Sequence, residues 1–236
     1  MKNLKVGNHD IPYEVVESSN ASQARIDIKP KGVKVIVPEG SGLDPEKFME
    51  EKREWVLKYY REMQDILADL PERTFEEGES FPYQGEEHEI KYSEANQVTV
   101  KNREIHLPKE TVESKLPATV LEDFLREKAR EEIKSVIAKY SDEIDEDYER
   151  LYIRNQKTKW GSCSGKNNLS FNFRLIMAPP EVLEYVVVHE LVHLEESKHS
   201  KAFWRRLSNL LPEYQKSKDW LKENQMELVL REEDIF

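Results

Sequence analysis

The sequence predicts an α+β protein in which a β-rich N-terminal region containing one long helix, residues 1–108, precedes a mainly helical core, residues 109–236. Three observations carry this reading. Short β-branched segments separated by turn residues recur through the first 107 residues, and apolar residues fall at helical spacing from Pro117 onward. The stretch EVLEYVVVHELVHL, Glu181 to Leu194, is too long for one buried strand and has two histidines and a glutamate set into an apolar run. A chain of 236 residues can bury a core as one large domain or two small ones.

Taken in order, Ile11 to Glu17, Ala24 to Lys29 and Val33 to Val37 read as strands of a small antiparallel sheet, with Pro30-Lys31-Gly32 as a turn. Asp44-Pro45-Glu46 supplies an N-cap, a proline at the first helical position and an acid in the first turn. The helix it opens should run to Leu70, burying Phe48, Trp55, Tyr59, Met63, Ile66 and Leu70 as a packing stripe. EIKY, VTV and EIHL restore strand character between Thr74 and Leu107, and the lone histidines there, His88 and His106, are read as ordinary sheet residues outside any site. Lys109 to Ser114 is the expected junction. Leu121, Phe124, Leu125, Ala129, Ile133, Val136, Ile137 and Tyr140 then define a long helix from Pro117 to about Ile144. Ile153 to Ile176 reads as two strands joined at Gly165-Lys166-Asn167-Asn168, and Pro179-Pro180 leads into the histidine-bearing helix.

Three of the six histidines lie between Val186 and Trp204. His189 and His193 are one turn apart on one helix face, close enough to share an ion, and Glu190 sits about 100° round from the first, where it can reach a water on that ion. HExxH therefore asks for a zinc with two imidazole ligands, an activated water and a general base. The competing reading is a buried helix with satisfied core histidines, but polar groups in so apolar a helix need partners. A structural zinc would want four protein ligands, and Cys163 is the single cysteine. His199 would point about 80° and 120° away from the other two on an unbroken helix, so the helix must end in Glu195-Glu196-Ser197-Lys198 to bring it under the ion. Ser200 can then cap a second helix, KAFWRRLSNLL, with Phe203, Trp204, Leu207, Leu210 and Leu211 as its apolar stripe. The first-to-third spacing matches the metzincin pattern HExxHxxGxxH, except that Glu196 replaces the glycine and no methionine marks a Met-turn. Glu213 is the alternative third ligand.

The segment Ile153 to Trp204 carries WGSC at Trp160 to Cys163, N-x-R-L at Asn172 to Leu175, a proline before the helix, HELxH, and His-Ser-x-x-Phe-Trp. In this it resembles the YgjP-like metallopeptidases, which are similar to the SprT-like and WLM zinc proteases. The resemblance implies a zincin-like metallopeptidase core over residues 109–236, with His189, His193 and His199 as ligands of one zinc per chain and Glu190 as catalytic base. A peptide or protein is the expected substrate. By similarity to zinc peptidases of this design, Leu169 to Leu175 would be the strand that pairs with it, unless the hairpin simply covers the core. Tyr185, Asn172 and Arg174 are candidates for stabilising the oxyanion, and Cys163 is read as a small buried residue rather than a nucleophile.

Charge is uneven. Residues 150–236 hold 14 Lys+Arg against 12 Asp+Glu, a balance of +2, and residues 1–149 hold 22 against 35, a balance of −13. Five cations, Arg154, Lys157, Lys159, Lys166 and Arg174, stand in the acid-free hairpin 154–174, where an acidic peptide or nucleic acid could be held; a solvated face is the simpler reading, and a net charge of −11 argues against indiscriminate DNA binding. The alternatives to a peptidase are a zinc-stabilised nucleic-acid or partner-binding module and an amidohydrolase acting on a small amide. No run of 18 apolar residues exists, the first residues lack the apolar core of a signal peptide, and one cysteine cannot form an intrachain disulfide. A cytoplasmic location without membrane contact is the expectation.

Overall fold

The computed structural model describes residues 2–30, 32–157 and 159–231. The chain divides into two compact units, Met1–Leu70 with Arg231, and Pro71–Leu230. The break in packing thus falls at Leu70/Pro71 and not at the expected 108/109. Lys109–Ser114, read as a junction, is a short helix packed on the strand before it, inside the second unit.

The first unit pairs β1 (Lys2–Val6), β2 (His9–Ser18), β3 (Arg25–Lys29) and β4 (Gly32–Pro38) in the order β1-β2-β4-β3. β2 and β4 are parallel and both outer pairs are antiparallel, so the sheet is mixed rather than the antiparallel one expected. The Asp44 carboxylate accepts from the Glu46 and Lys47 amides at 2.9 and 3.4 Å and caps α1 (Pro45–Glu51), as the sequence indicates. The single long helix is interrupted at Lys52 (φ −104°, ψ 8°), and α2 (Arg53–Ala68) follows. That interruption resets the helical phase. Met49 and Val56 are the side chains buried against Leu4, Ile11, Val33 and Val35, whereas Trp55 and Tyr59, expected in the stripe, are 44% and 38% exposed.

The second unit repeats the sheet pattern in β5 (Ser80–Tyr83), β6 (Glu86–Ser93), β7 (Thr99–Lys101) and β8 (Glu104–Pro108), ordered β5-β6-β8-β7 with the same parallel centre. Both parallel ladders end on a serine opposite a proline, Ser18 with Pro38 and Ser93 with Pro108, the proline serving where no further ladder donor is needed. His88 and His106 are engaged inside this sheet, on the Glu86 carbonyl and the Glu104 carboxylate. After α3 (Lys109–Ser114), α4 (Pro117–Lys139) buries Leu121, Leu125, Ala129 and Ile133.

A three-stranded sheet of β9 (Arg150–Arg154), β10 (Gly161–Cys163) and β11 (Asn168–Asn172) then forms in the order β10-β11-β9. The stretch expected as one strand, Ile153 to Ser164, supplies parts of both outer strands, and β11 lies between them. β11 stops at Asn172, whose side chain accepts from the Arg174 amide at 3.1 Å and opens a 3-10 turn, Phe173–Met177. α5 (Pro180–Glu195), α6 (Lys201–Leu210) and α7 (Tyr214–Asn224) complete the unit. Among the described residues no helix is long and apolar enough to cross a membrane.

One turn joins the second sheet to the start of α5. The Gln84 and Gly85 amides donate to the Ile176 and Met177 carbonyls at 2.9 and 3.0 Å. Gly85 has φ +76°, and a Cβ there would lie 2.8 Å from the Pro179 Cα, so both conformation and space require glycine. Gly85→Ala should destabilise the protein by about 1–3 kcal/mol. Gly165→Ala, where a Cβ meets nothing within 4 Å, should shift it by no more than about 0.5 kcal/mol. Urea unfolding midpoints of the two variants check this; equal midpoints would contradict it.

Candidate metal centre

α5 forms because Pro180 starts it at N1 and its side chains suit a buried helix: Val182, Leu183, Val186, Val187, Val188, Leu191 and Val192 are all buried. It ends at Glu195, and Glu196 is extended (φ −124°, ψ 94°). Ser200 caps α6 by accepting from the Phe203 amide at 3.2 Å. His199 therefore lies between two helix ends. Arg206 on α6 reaches back to Glu195 at the end of α5, Nε to Oε2 at 2.8 Å, and the pair also offsets an acid at the unfavourable C-terminal end of a helix.

This turn brings three imidazoles together. His189 Nε2 and His193 Nε2 lie 2.9 and 3.1 Å from His199 Nε2. The Nδ1–H of His193 donates to the Glu196 carbonyl at 3.0 Å, which leaves its Nε2 with a lone pair directed at the cluster. Burial first, then His193 and His199, push the pKa of His189 down to about 3, so this ring stays neutral. His199 is also held below the usual histidine range, by burial and by His193. Three imidazole nitrogens around one point cannot all satisfy one another with hydrogen bonds. They suit a cation: imidazole nitrogens roughly 2.0–2.1 Å from a zinc would stand about 3.4 Å apart. Among the described residues these three histidines are the group whose ligand atoms converge, all within 4.8 Å. Glu213 lies outside it, exposed and paired with Lys216.

Aromatic packing fixes the rings. Phe203, fully buried, touches all three imidazoles with centroids at 4.9, 4.5 and 4.8 Å. Trp204 stacks on His199 at 5.5 Å, Tyr214 stacks on Trp204, and Tyr185 stacks on Tyr214.

Glu190 is buried, 6% exposed, and faces β10. Burial pushes its carboxyl up to about 7, opposed by a backbone hydrogen bond from Cys163 and by the charge of Lys159. It shares a cleft of about 620 Å³ with the three histidines and with residues of β10 and the loop after it. A larger cleft of about 700 Å³, over Arg150, Tyr152 and Lys166, holds none of these groups.

Three expectations need correction. β11 is paired on both sides, antiparallel to β10 and parallel to β9, so Leu169 to Leu175 has no free edge for a substrate. The outer strands are β10 and β9, and β10 is the one beside Glu190. Asn172 and Arg174 are fully buried and spend their hydrogen bonds elsewhere: Asn172 on the Gln156 carbonyl and the Arg174 amide, Arg174 on the carbonyls of Leu228 and Gln156, with its guanidinium 5.2 Å over Trp160. They brace the segment leading into β10 and do not reach the cleft as oxyanion donors. For the same reason Arg174 does not belong to a basic surface, which leaves Arg154, Lys157, Lys159 and Lys166. Cys163 is half-buried, and burial first, then the charge of Glu190, push its thiol up. Gly161 is the site residue that no sequence expectation names for a role, although a glycine inside a strand pattern signals close approach of another group.

A search of curated proteins finds no match to the chain. Solved structures are similar over a part of it, two of them metallopeptidase zymogens. The metallopeptidase zymogen of Pyrococcus abyssi abylysin is 23% identical, covering 39% of this chain and 95% of its own, with a TM-score of 0.36. The metallopeptidase zymogen of Methanocaldococcus jannaschii jannalysin is 24% identical, covering 41% of this chain and 94% of its own, with a TM-score of 0.33. The model of the YgjP-like metallopeptidase domain matches residues 22–224, nearly the whole of the second unit and much of the first. On that match the chain belongs to the YgjP-like metallopeptidase family.

Proposed function

We propose that the protein hydrolyses peptide bonds at a single zinc held by His189, His193 and His199, with Glu190 as general base. The observation that carries this is the convergence of three Nε2 atoms in one cleft with a buried carboxylate. A bound zinc supplies Lewis acidity for the scissile carbonyl and lowers the pKa of the attacking water. The chain's own residues do the rest. Glu190 takes the proton of that water and returns it to the leaving amine; a carboxyl raised by burial is poised for both transfers, and a neighbouring cation would bring its pKa down from about 7. Glu196 fixes the tautomer of His193, and Phe203 holds all three rings in place.

The substrate would lie along β10. Ser162 faces Ser170 across the ladder, the Asn172 amide donates to the Trp160 carbonyl and the Ser164 amide to the Asn168 carbonyl. Trp160, Ser162 and Ser164 thus turn their backbone groups toward β11, and Gly161 and Cys163 turn theirs to the open edge beside Glu190. An extended peptide can pair there, whereas a small amide would leave those groups unused.

Glu190→Gln should reduce cleavage of a fluorescein-labelled casein by about 10²–10⁴-fold while zinc remains bound and the fold intact, since the amide keeps the shape but cannot take the proton. Normal turnover by this variant would remove Glu190 as the base.

The third ligand is tested by zinc titration against a competing chelator. His199→Ala should weaken zinc by more than the roughly 10–100-fold expected of a supporting residue. Trp204→Ala should fall within that range by loosening the ring it stacks on, and Glu213→Ala should bind zinc like the wild type. A large loss in Glu213→Ala with unchanged affinity in His199→Ala would transfer the ligand to the glutamate.

A further inference from the structure

The second glycine that space dictates is Gly161, and what it makes room for is the base itself. An added Cβ there would lie 2.7 Å from Glu190 Cγ, 2.8 Å from Oε1 and 3.1 Å from Cδ. Gly161 sits in β10, paired with Phe171, and is not among the positive-φ glycines. Backbone conformation therefore does not demand glycine at this position, and the three atoms nearest an added Cβ all belong to Glu190. Gly85 differs on both counts, since its φ is positive and its close neighbour is the backbone of Pro179.

β10 cannot easily retreat from such a contact. The Trp160 carbonyl accepts from the Asn172 amide at 2.8 Å, and the Gln156 carbonyl accepts from Asn172 Nδ2 at 2.8 Å and Arg174 Nη2 at 3.3 Å. The Arg174 guanidinium lies 5.2 Å over the Trp160 ring. A strand pinned from behind transmits the clash to the part that can rotate, the Glu190 side chain.

We propose that Gly161 is the positioning residue for Glu190: its missing side chain admits the carboxylate against β10, inside the cleft lined by the three histidines. This rests on the reading of Glu190 as general base. Relieving a carbon–carbon approach of 2.7 Å to ordinary contact moves the carboxylate by about 1 Å. A displacement of that size at a reacting group costs on the order of a hundredfold in rate.

Gly161→Ala is the test. With zinc loaded and fluorescein-labelled casein as substrate, kcat should fall about a hundredfold with KM unchanged, and zinc affinity and unfolding midpoint should stay at wild-type values. A crystal structure of the variant reads the inference without reference to activity. The Glu190 carboxylate should have moved about 1 Å away from Gly161 while the three Nε2 atoms keep their places; an unmoved carboxylate, or wild-type kcat, overturns the inference. Wild-type protein inert toward casein would count against the peptidase reading alone, because the position of the carboxylate still decides the role of Gly161. Should Gly161→Ala fold poorly, a Gly161→Ala/Glu190→Ala double variant should return to the stability of Glu190→Ala. A double variant as unstable as the glycine change alone would show that Gly161 serves the strand and not the base.

Discussion

The structure depends on three imidazole nitrogens held facing one point. Burial keeps His189 neutral, the Glu196 carbonyl accepts a hydrogen bond from the Nδ1–H of His193, and the turn after Glu195 delivers His199 to the same place. Left alone, such a cluster turns three ring nitrogens toward one another, which leaves acceptors without donors. α5 can carry it because seven of its Val and Leu side chains are buried around the polar groups. A cation turns the remaining cost into affinity.

The elements around that point act as a frame with few loose parts. Arg206 and Glu195 clamp α6 to α5, Phe203 fills the space between the rings, and the stack of Trp204, Tyr214 and Tyr185 backs His199. On the other side of the cleft, Asn172 and Arg174 pin the segment before β10, so the edge strand and the helix keep a fixed separation. The two glycines divide the labour: Gly85 lets a turn of the second sheet approach Pro179 at the start of α5, and Gly161 lets Glu190 approach β10.

Much of this was legible in the sequence, for reasons that can be named. The i, i+4 histidines, the polar stretch that had to end the helix and the Ser200 cap are local signals, and the His199 placement follows from them. The Asp44-Pro45 cap is equally local and holds. What was not legible depends on partners distant in the chain. The parallel pairing of β2 with β4 and of β9 with β11 has no local marker, and the alternation in LSFNFRLI looks the same whether the strand is central or at an edge. The helix break at Lys52 carries neither Pro nor Gly, so the stripe was assigned to Trp55 when Val56 is the buried residue. Arg174 reads as a surface cation until the carbonyls of Gln156 and Leu228 are seen around it. Both sheets repeat one strand order with little matching sequence beyond their final Ser and Pro pairs, and the polar run Lys109 to Ser114 resembles a junction although it folds as a helix inside the second unit.

The central claim is that His189, His193 and His199 hold one zinc with no other side chain bound to it. X-ray absorption at the zinc edge, on protein purified without chelator and with its metal content measured, tests it most directly. The account predicts one zinc per chain with three imidazole nitrogens at roughly 2.0–2.1 Å and one light oxygen ligand. A sulfur scatterer at about 2.3 Å, which could come only from Cys163 or a methionine, or a zinc content that does not change when His189 and His193 are both replaced by alanine, would contradict it.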